Sequence, residues 1–482
     1  MFESAEAFSL RRTVYALLIT AAAGIAAGRV FGVARLPTAT FADNDRSRWA
    51  TVRALVDDGT YVIGRRIPGK GKEGKPIDLG IIAEDGWQTI DKVLRPDTRE
   101  FYSSKPPLLA TIAAGEYSML KQWLGLSIAH RPVPVVCTIL ITLNWLPLVV
   151  YLILLAQLVE RHGATDWGRL FVMTAACFAT LLTAFMSTFN NHTVATCSAL
   201  FAIYPFLSAW HSDERHPLLF LASGFFAGFT AANELPAAAF LAALFCLLFY
   251  RFPLHTLIFF VPGAVIPIAA FLWTNYLAVG QLSPAYSEFG TSWYEYEGSV
   301  WANKPGEIKH GIDWAWRTES AAKYAFHLLF GHHGLFSLSP IYVLSLAGGI
   351  CVLLPGRRIP PCGKEQEPQG GAAMATPNLN LVAVMTLILS TIVIGFYIFG
   401  VNERNRNYGG WTNGLRWLMW LTPLWLLTML PAADWLARRR WSRATAYVLL
   451  AISIFSANYS WFNPWRHPWL YELLESKGMI NY

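Results

Sequence analysis

The sequence predicts an all-α integral membrane protein, a bundle of about eleven transmembrane helices whose large first outer loop bears interfacial helices. Three observations point there. Hydrophobic residues make up 54% of the 482 and charged residues only 14%, against about 25% charged in soluble globular chains. Apolar stretches of ~20 residues recur along the chain, the length that crosses the hydrocarbon layer. Lys and Arg gather in alternate connections between those stretches. The net charge of +7, from 38 basic and 31 acidic side chains, is scattered among loops with no basic stripe interleaved with aromatics, which argues against a nucleic-acid partner. Five of the six cysteines, Cys137, Cys177, Cys197, Cys246 and Cys351, lie inside apolar runs, and with Cys362 they form no CxxC pair or disulfide framework.

The expected spans are 13–33, 133–158, 168–187, 192–210, 217–232, 235–250, 256–279, 335–354, 379–400, 413–433 and 444–460. Pro147, Pro205, Pro236, Pro262 and Pro267 fall within or at the ends of these helices, where lipid-spanning helices tolerate kinks. With Arg11 and Arg12 on the cytoplasmic side, the alternation closes. Arg161 with Arg169, Arg215, Arg251, Arg357 with Arg358 and Lys364, and the Arg438, Arg439, Arg440, Arg443 cluster then share that side. The opposite short turns at 187–191 and 233–234 carry no Lys or Arg, and only Arg404 and Arg406 break the rule. Arg11 and Arg12 before an apolar run also open a cleavable signal peptide, but the apolar stretch is long for one. The chain reads as one transmembrane domain, 1–482, with a first outer loop at 34–131 that bears the candidate catalytic residues and a second at 280–334.

The first loop opens with Asp43-Asn44-Asp45-Arg46-Ser47-Arg48-Trp49, followed by apolar residues at helical spacing, so a helix lies along the interface there. A carboxylate at that depth is partly desolvated and suited to general-base work, which makes Asp45 and Asp43 candidate catalytic residues. The same two residues are equally suited to capping the helix. Their two-residue spacing can also hold a hard divalent cation, a weak signal. Further on, Phe101-Tyr102-Ser103-Ser104-Lys105-Pro106-Pro107-Leu108-Leu109 sets a lysine before a stiff turn and a second interfacial helix. Lys105 at headgroup depth meets phosphate or snorkels as an anchor. Between them, Gly69 to Pro76 nearly spells a nucleotide phosphate loop. Pro76 stands where Ser or Thr is needed, and the strand and helix that flank such a loop are not evident, so a solvated insertion is expected.

The remaining outer turns are Asn190-Asn191-His192-Thr193, Asn233-Glu234-Leu235-Pro236 and Asn402-Glu403-Arg404 leading to Tyr408-Gly409-Gly410. Glu234 and His192, with Tyr102, are candidates to line a substrate cavity. Glu234 would otherwise cap the next helix. Arg416 is a second candidate phosphate ligand, with pairing to Glu234 or Asp45 as the alternative. His332 and His333 have no carboxylate or histidine at helical ligand spacing nearby, which argues against a metal site there.

Assembled in this order, the chain resembles the GT-C superfamily of multi-spanning glycosyltransferases that use polyprenyl-phosphate sugars, the group containing protein O-mannosyltransferases and the lipid A aminoarabinose transferase. Asp45-Arg46-Ser47-Arg48-Trp49 occupies the place of the family's Asp-Glu-x-x-Tyr-like motif, and Lys105-Pro106-Pro107-Leu108 that of its Lys-Pro-Pro-Leu-like motif. Arg46 and Trp49 depart from the family's usual Glu and Tyr. The resemblance implies that Asp45 is the acid/base carboxylate, that Lys105 meets the carrier phosphate, and that Arg416 matches a late basic position of some bacterial members. It implies transfer of a hexose or pentose from a polyprenyl-phosphate donor to a lipid, glycan or protein hydroxyl with inversion, at the periplasmic face of a bacterial inner membrane. No cofactor is required, although a divalent metal is compatible. A lipid or solute transporter or flippase is the alternative, since many spans and a few buried charges serve transport equally well.

Overall fold

The computed structural model describes residues 5–36, 38, 40, 42–69, 71, 75–211, 215–302, 309–353, 379–401 and 406–482. Asn402-Glu403-Arg404, Arg357, Arg358, Lys364, Cys362 and, in the Gly/Lys-rich insertion, Lys70 and Lys72 to Gly74 lie outside the described residues. The protein is a mostly helical membrane protein. Among the described residues, six helices are long and apolar enough to cross a bilayer: Phe8–Arg35, Pro132–His162, Asp166–Ser187, Asn191–His211, Pro253–Val279 and Asn380–Gly400. Pro217–Asn233 and Leu235–Arg251 are shorter apolar helices separated by Glu234, and Tyr342–Leu353 is shorter again. The expected helix at 335–354 is broken by Ser339 and Pro340 into a single turn, Leu335–Leu338, and Tyr342–Leu353. The one expected at 413–433 starts instead as a 3-10 turn, Arg416–Leu421, before Thr422–Leu436.

Small residues decide how closely the helices approach. A Cβ on Gly224 would sit 2.0 Å from the Phe260 carbonyl oxygen, and one on Gly228 would sit 2.6 Å from that of Ala264. Gly263 in turn lies against the Leu221 carbonyl. The backbones of Pro217–Asn233 and Pro253–Val279 therefore touch directly, the contact that glycines spaced by four permit between lipid-embedded helices.

The expected cytoplasmic ends do meet. Arg11 pairs with Glu160 at 2.6 Å and Asp166 at 2.7 Å. Asp434 receives the backbone N–H groups of Ala164 and Thr165 at 2.9 and 2.8 Å. Arg251 donates to the Trp210 carbonyl at 2.6 Å.

The all-α expectation needs correction in the first long loop. Helix α1 (Ala5–Gly32) leads into α2 (Asp43–Asp57), and before α3 (Leu108–Leu124) comes a four-stranded antiparallel sheet. Its strands are β1 (Gly64–Ile67), β2 (Ile77–Leu79), β3 (Lys92–Leu94) and β4 (Glu100–Ser103), in the order β2-β1-β4-β3. Successive side chains on a strand point to opposite faces. Phe101 and Leu94 accordingly pack on Ala50 and Ala54 of α2, while Tyr102 and Val93 pack on Val279, Ala285 and Tyr294. The sheet is thus held between α2 and the second long loop. The Gly/Lys-rich segment is the β1–β2 connection, followed by a strand and not by a helix, so it has no helix N-terminus to offer a phosphate.

Gly224→Leu should lower stability by about 1 to 3 kcal/mol or more through overpacking. Gly115→Ala, with nothing within 4 Å of its added methyl, should be neutral or slightly stabilising. Thermal unfolding of the detergent-solubilised protein distinguishes the two.

Candidate functional site

The register of the β3–β4 hairpin builds the centre of the site. Lys92 faces Ser103, so Asp91, one residue before β3, lies beside the chain just beyond β4. The Asp91 carbonyl accepts from Ser104 N–H at 3.1 Å and from Ser47 Oγ at 2.5 Å. Ser103 Oγ lies 2.6 Å from Ser47 Oγ and accepts the Lys105 N–H at 3.1 Å. Lys105 Nζ then donates to Asp91 Oδ1 at 3.1 Å. Burial pulls the Lys105 ammonium below its ordinary pKa. Asp91 opposes the shift, and Arg48 and Arg416 add to it.

Residue 45 sits in the first turn of α2, where its Oδ1 accepts the Ala42 N–H at 3.0 Å and where it is 1% exposed. Asp45 thus caps the helix through Oδ1 and is also a charge neighbour of Arg48 one turn on. Asp43 is more exposed. Its Oδ1 takes the Ile90 N–H at 3.0 Å and its carbonyl takes Thr89 Oγ1 at 2.9 Å, which pins the turn that carries Asp91.

Arg48 links the loop to the bundle. Buried on α2, it donates to the Asn44 carbonyl at 3.1 Å and to the Asn44 side chain, and through Nη2 to Asn191 Oδ1 at 2.5 Å. Asn191 Nδ2 donates onward to Glu234 Oε1 at 2.7 Å, an oxygen also in contact with His192 Nδ1. Asn144, in the π-helical segment Ile141–Trp145, fixes the turn ahead of these residues by donating to the carbonyls of Met186 and Thr188 at 3.0 and 2.9 Å. Glu234 is held by these side chains and makes no cap bond to the following turn. Burial pushes its carboxyl up to about 8, against the pull of Arg416 and Arg48.

Arg416 closes the chain of contacts. Its Nη1 donates to His192 Nε2 at 3.1 Å, its Nη2 to the Gly409 carbonyl at 2.7 Å, and its guanidinium lies 4.9 Å over the Trp465 ring. A guanidinium only donates. His192 Nε2 must therefore be the acceptor, and Nδ1–H the donor to Glu234, which assigns a neutral imidazole from its partners. Arg416 Nε has no hydrogen-bond partner among the described residues. Of the two pairings open to Arg416 in the sequence, the one with Glu234 is realised through His192.

Three polar residues of the site carry no motif. Asp91 and Arg48 are two of them. The third is Asp313 of the second long loop, half-buried in a 3-10 turn, Ile312–Arg317. A Cβ at position 410 would come within 3.1 Å of its Oδ1, and Gly410 at φ +69° leaves that room. Burial and the neighbouring Asp91 push the Asp313 carboxyl up to about 6, while Arg416 and Lys105 draw it down. Only the register of the hairpin and the folding back of the second loop bring these groups together, and no spacing in the chain signals either.

Tyr102 and Lys105 line a small pocket with Ser103 and Asn275, between the first loop and the end of helix Pro253–Val279. The Tyr102 hydroxyl donates to Glu100 at 2.8 Å.

No protein-family model matches the chain, and no curated protein matches it. Among solved structures it is similar to the apo crystal form of the Archaeoglobus fulgidus oligosaccharyltransferase, at 10% identity and a TM-score of 0.37. The match covers 94% of this chain and 56% of that one. A likeness of that degree assigns no activity here.

Asp91→Asn should leave Lys105 facing Arg48 and Arg416 without its counter-charge, lowering its pKa further. Acylation of Lys105 by an amine-reactive probe near pH 8, read by mass spectrometry, should then speed up by about tenfold for each unit lost. An unchanged rate would mean that Asp91 does not hold the ammonium.

Proposed function

We propose that the protein is a membrane glycosyltransferase that moves a sugar from a lipid-phosphate-linked donor, a polyprenyl phosphate by resemblance, to an acceptor hydroxyl. The observation that carries this reading is the half-buried group at the loop-bearing end. There Lys105 and Arg416 share Asp91 and Asp313 as charge neighbours, and Arg48 joins them to Asp45. Cations gathered where lipid headgroups lie suit a donor phosphate, and carboxylates beside them suit a hydroxyl that must lose its proton.

In this mechanism the donor enters sideways from the bilayer. Its phosphate displaces Asp91 from Lys105 and takes up the free Nε edge of Arg416. Asp45 accepts the proton of the acceptor hydroxyl as that oxygen attacks the anomeric carbon. The bond to phosphate breaks, and both cations stabilise the charge on the leaving group, so no general acid is needed for departure. A single displacement inverts the anomeric centre. Asp313, ionised above about pH 6, supplies the charge that holds Arg416 and Lys105 toward the phosphate. Asp43 acts by holding the Asp91 turn. On the distribution of Lys and Arg, and with the about eleven crossings that the sequence predicts, this end faces outward, toward the periplasm of a bacterial inner membrane.

The test is a radiolabelled polyprenyl-phosphate sugar in proteoliposomes. Transfer to an acceptor supports the enzyme. Vectorial movement without transfer would replace it with a transporter, and the absence of both would leave a non-catalytic membrane protein. Asp45→Asn should abolish transfer in a folded protein. Lys105→Ala should weaken donor use by about ten- to a hundredfold, the equivalent of a charge-assisted contact of roughly 1.5 to 3 kcal/mol. Because the Asp313 carboxyl is raised, its charged form is lost as pH falls through about 6. Transfer should decline there in the wild type, and Asp313→Asn should flatten that limb.

A further inference from the structure

A second buried polar cluster lies apart from the charges described above, and it needs no assumption about glycosyl transfer. Glu319 precedes the helix Ala321–Leu329, His327 lies on that helix, and His332 follows it in Gly331-His332-His333-Gly334. All three side chains are buried, and one ligand atom from each lies within 4.8 Å of the other two. His327 Nε2 faces Glu319 Oε1 at 3.9 Å, too far for a hydrogen bond, and its Nδ1 has no partner among the described residues. The imidazole is 7% exposed, its Nδ1 lies beside Gly331, and its Nε2 is the ligand atom turned toward Glu319. Four ligands around a Zn-sized ion lie about 3.4 Å apart, so the three ligand atoms, within 4.8 Å of one another here, draw together on binding.

The surroundings have the form of an outer ligand shell. Tyr408 donates to Glu319 Oε2 at 2.5 Å, leaving Oε1 toward His327. His332 Nδ1 lies 2.6 Å from His333 Nδ1, so Nδ1–H can donate there and free Nε2 for an ion. Tyr482 bridges His332 Nε2 and Glu319 Oε1 at 2.5 and 2.6 Å. It is placed to be the fourth ligand or to be pushed aside. Lys323 stands 3.6 Å from Glu319 Oε1 and, being half-exposed, can swing into water when an ion brings its own charge.

We infer that Glu319, His327 and His332 form a site for a borderline divalent transition metal of the zinc class, with Tyr482 beside it. The rings of His327 and His332 stack at 4.1 Å, so binding opens that stack to bring both lone pairs onto the ion. The site would fasten the second long loop to Tyr408, and through Gly409 to the carbonyl that receives Arg416.

The full-length protein in detergent, stripped with chelator and dialysed against Zn2+, should retain about one ion per chain. Co2+ in its place should give the intense visible absorption of a four-coordinate site. Glu319→Gln, His327→Ala and His332→Ala should each lose the ion, while His467→Ala, which alters a neighbouring ring outside the ligand set, should keep it. If any of the three fails to fold, the Co2+ spectrum of the wild type decides. A wild type that retains no Zn2+ and shows no Co2+ band would overturn the site and leave a proton-sharing network of histidines and tyrosines. Equal metal content in the folded triple variant would overturn it as well.

Discussion

Shielding the buried Arg48 and the half-buried Arg416 guanidiniums is the constraint on which the loop-bearing end is built. An unpaired cation in that position would cost several kcal/mol, so each must meet acceptors supplied by the chain around it. Arg48 finds Asn44 on its own helix and Asn191 at the head of a membrane helix, and Arg416 finds His192 and the Gly409 carbonyl. Asn191 and His192 both lean on Glu234. One carboxylate between two short apolar helices thereby organises both cations. The loops are not draped over the bundle; they are required there to satisfy these charges.

The sheet supplies the second constraint. It has little area of its own, and a few short strands would be marginal without packing on both faces. Here one face rests on Ala50 and Ala54 and the other on Val279, Ala285 and Tyr294, so the hairpin register is locked by two partners at once. A slip of one residue would turn Phe101 and Tyr102 to the wrong sides and carry Asp91 away from Lys105. The precision of the ion pair is therefore inherited from apolar packing several residues away.

Much of the helical frame was legible in the chain, because length and hydropathy alone set a membrane span, and the helices beginning at Asp43 and Leu108 stand where apolar spacing put them. Lys105, Arg416, His192 and Glu234 stood out because charged or polar groups beside apolar helices are rare, and the structure does gather them in one polar network. The sheet was hidden. Gly64 to Ile67 and Ile77 to Leu79 are too short and too charged to announce strands, and the glycine and lysine residues between them read as a solvated insertion. Asp91, Arg48 and Asp313 were hidden for a related reason: their meaning comes from register and from the return of a distant loop. The pairing of His332 with Glu319 and His327 escaped the helical-spacing rule because the chain turns at Gly331 and brings His332 back against the preceding helix.

The neutral tautomer of His192 also sets a direction of response. Its Nε2 lone pair is what keeps the Arg416 guanidinium turned toward the Gly409 carbonyl and the Trp465 ring. A proton placed on that nitrogen would set N–H against N–H and expel the arginine from its seat. The imidazole thus works as a one-way catch: a side chain that could only donate at that position would release Arg416 while leaving the helices that carry both residues in place.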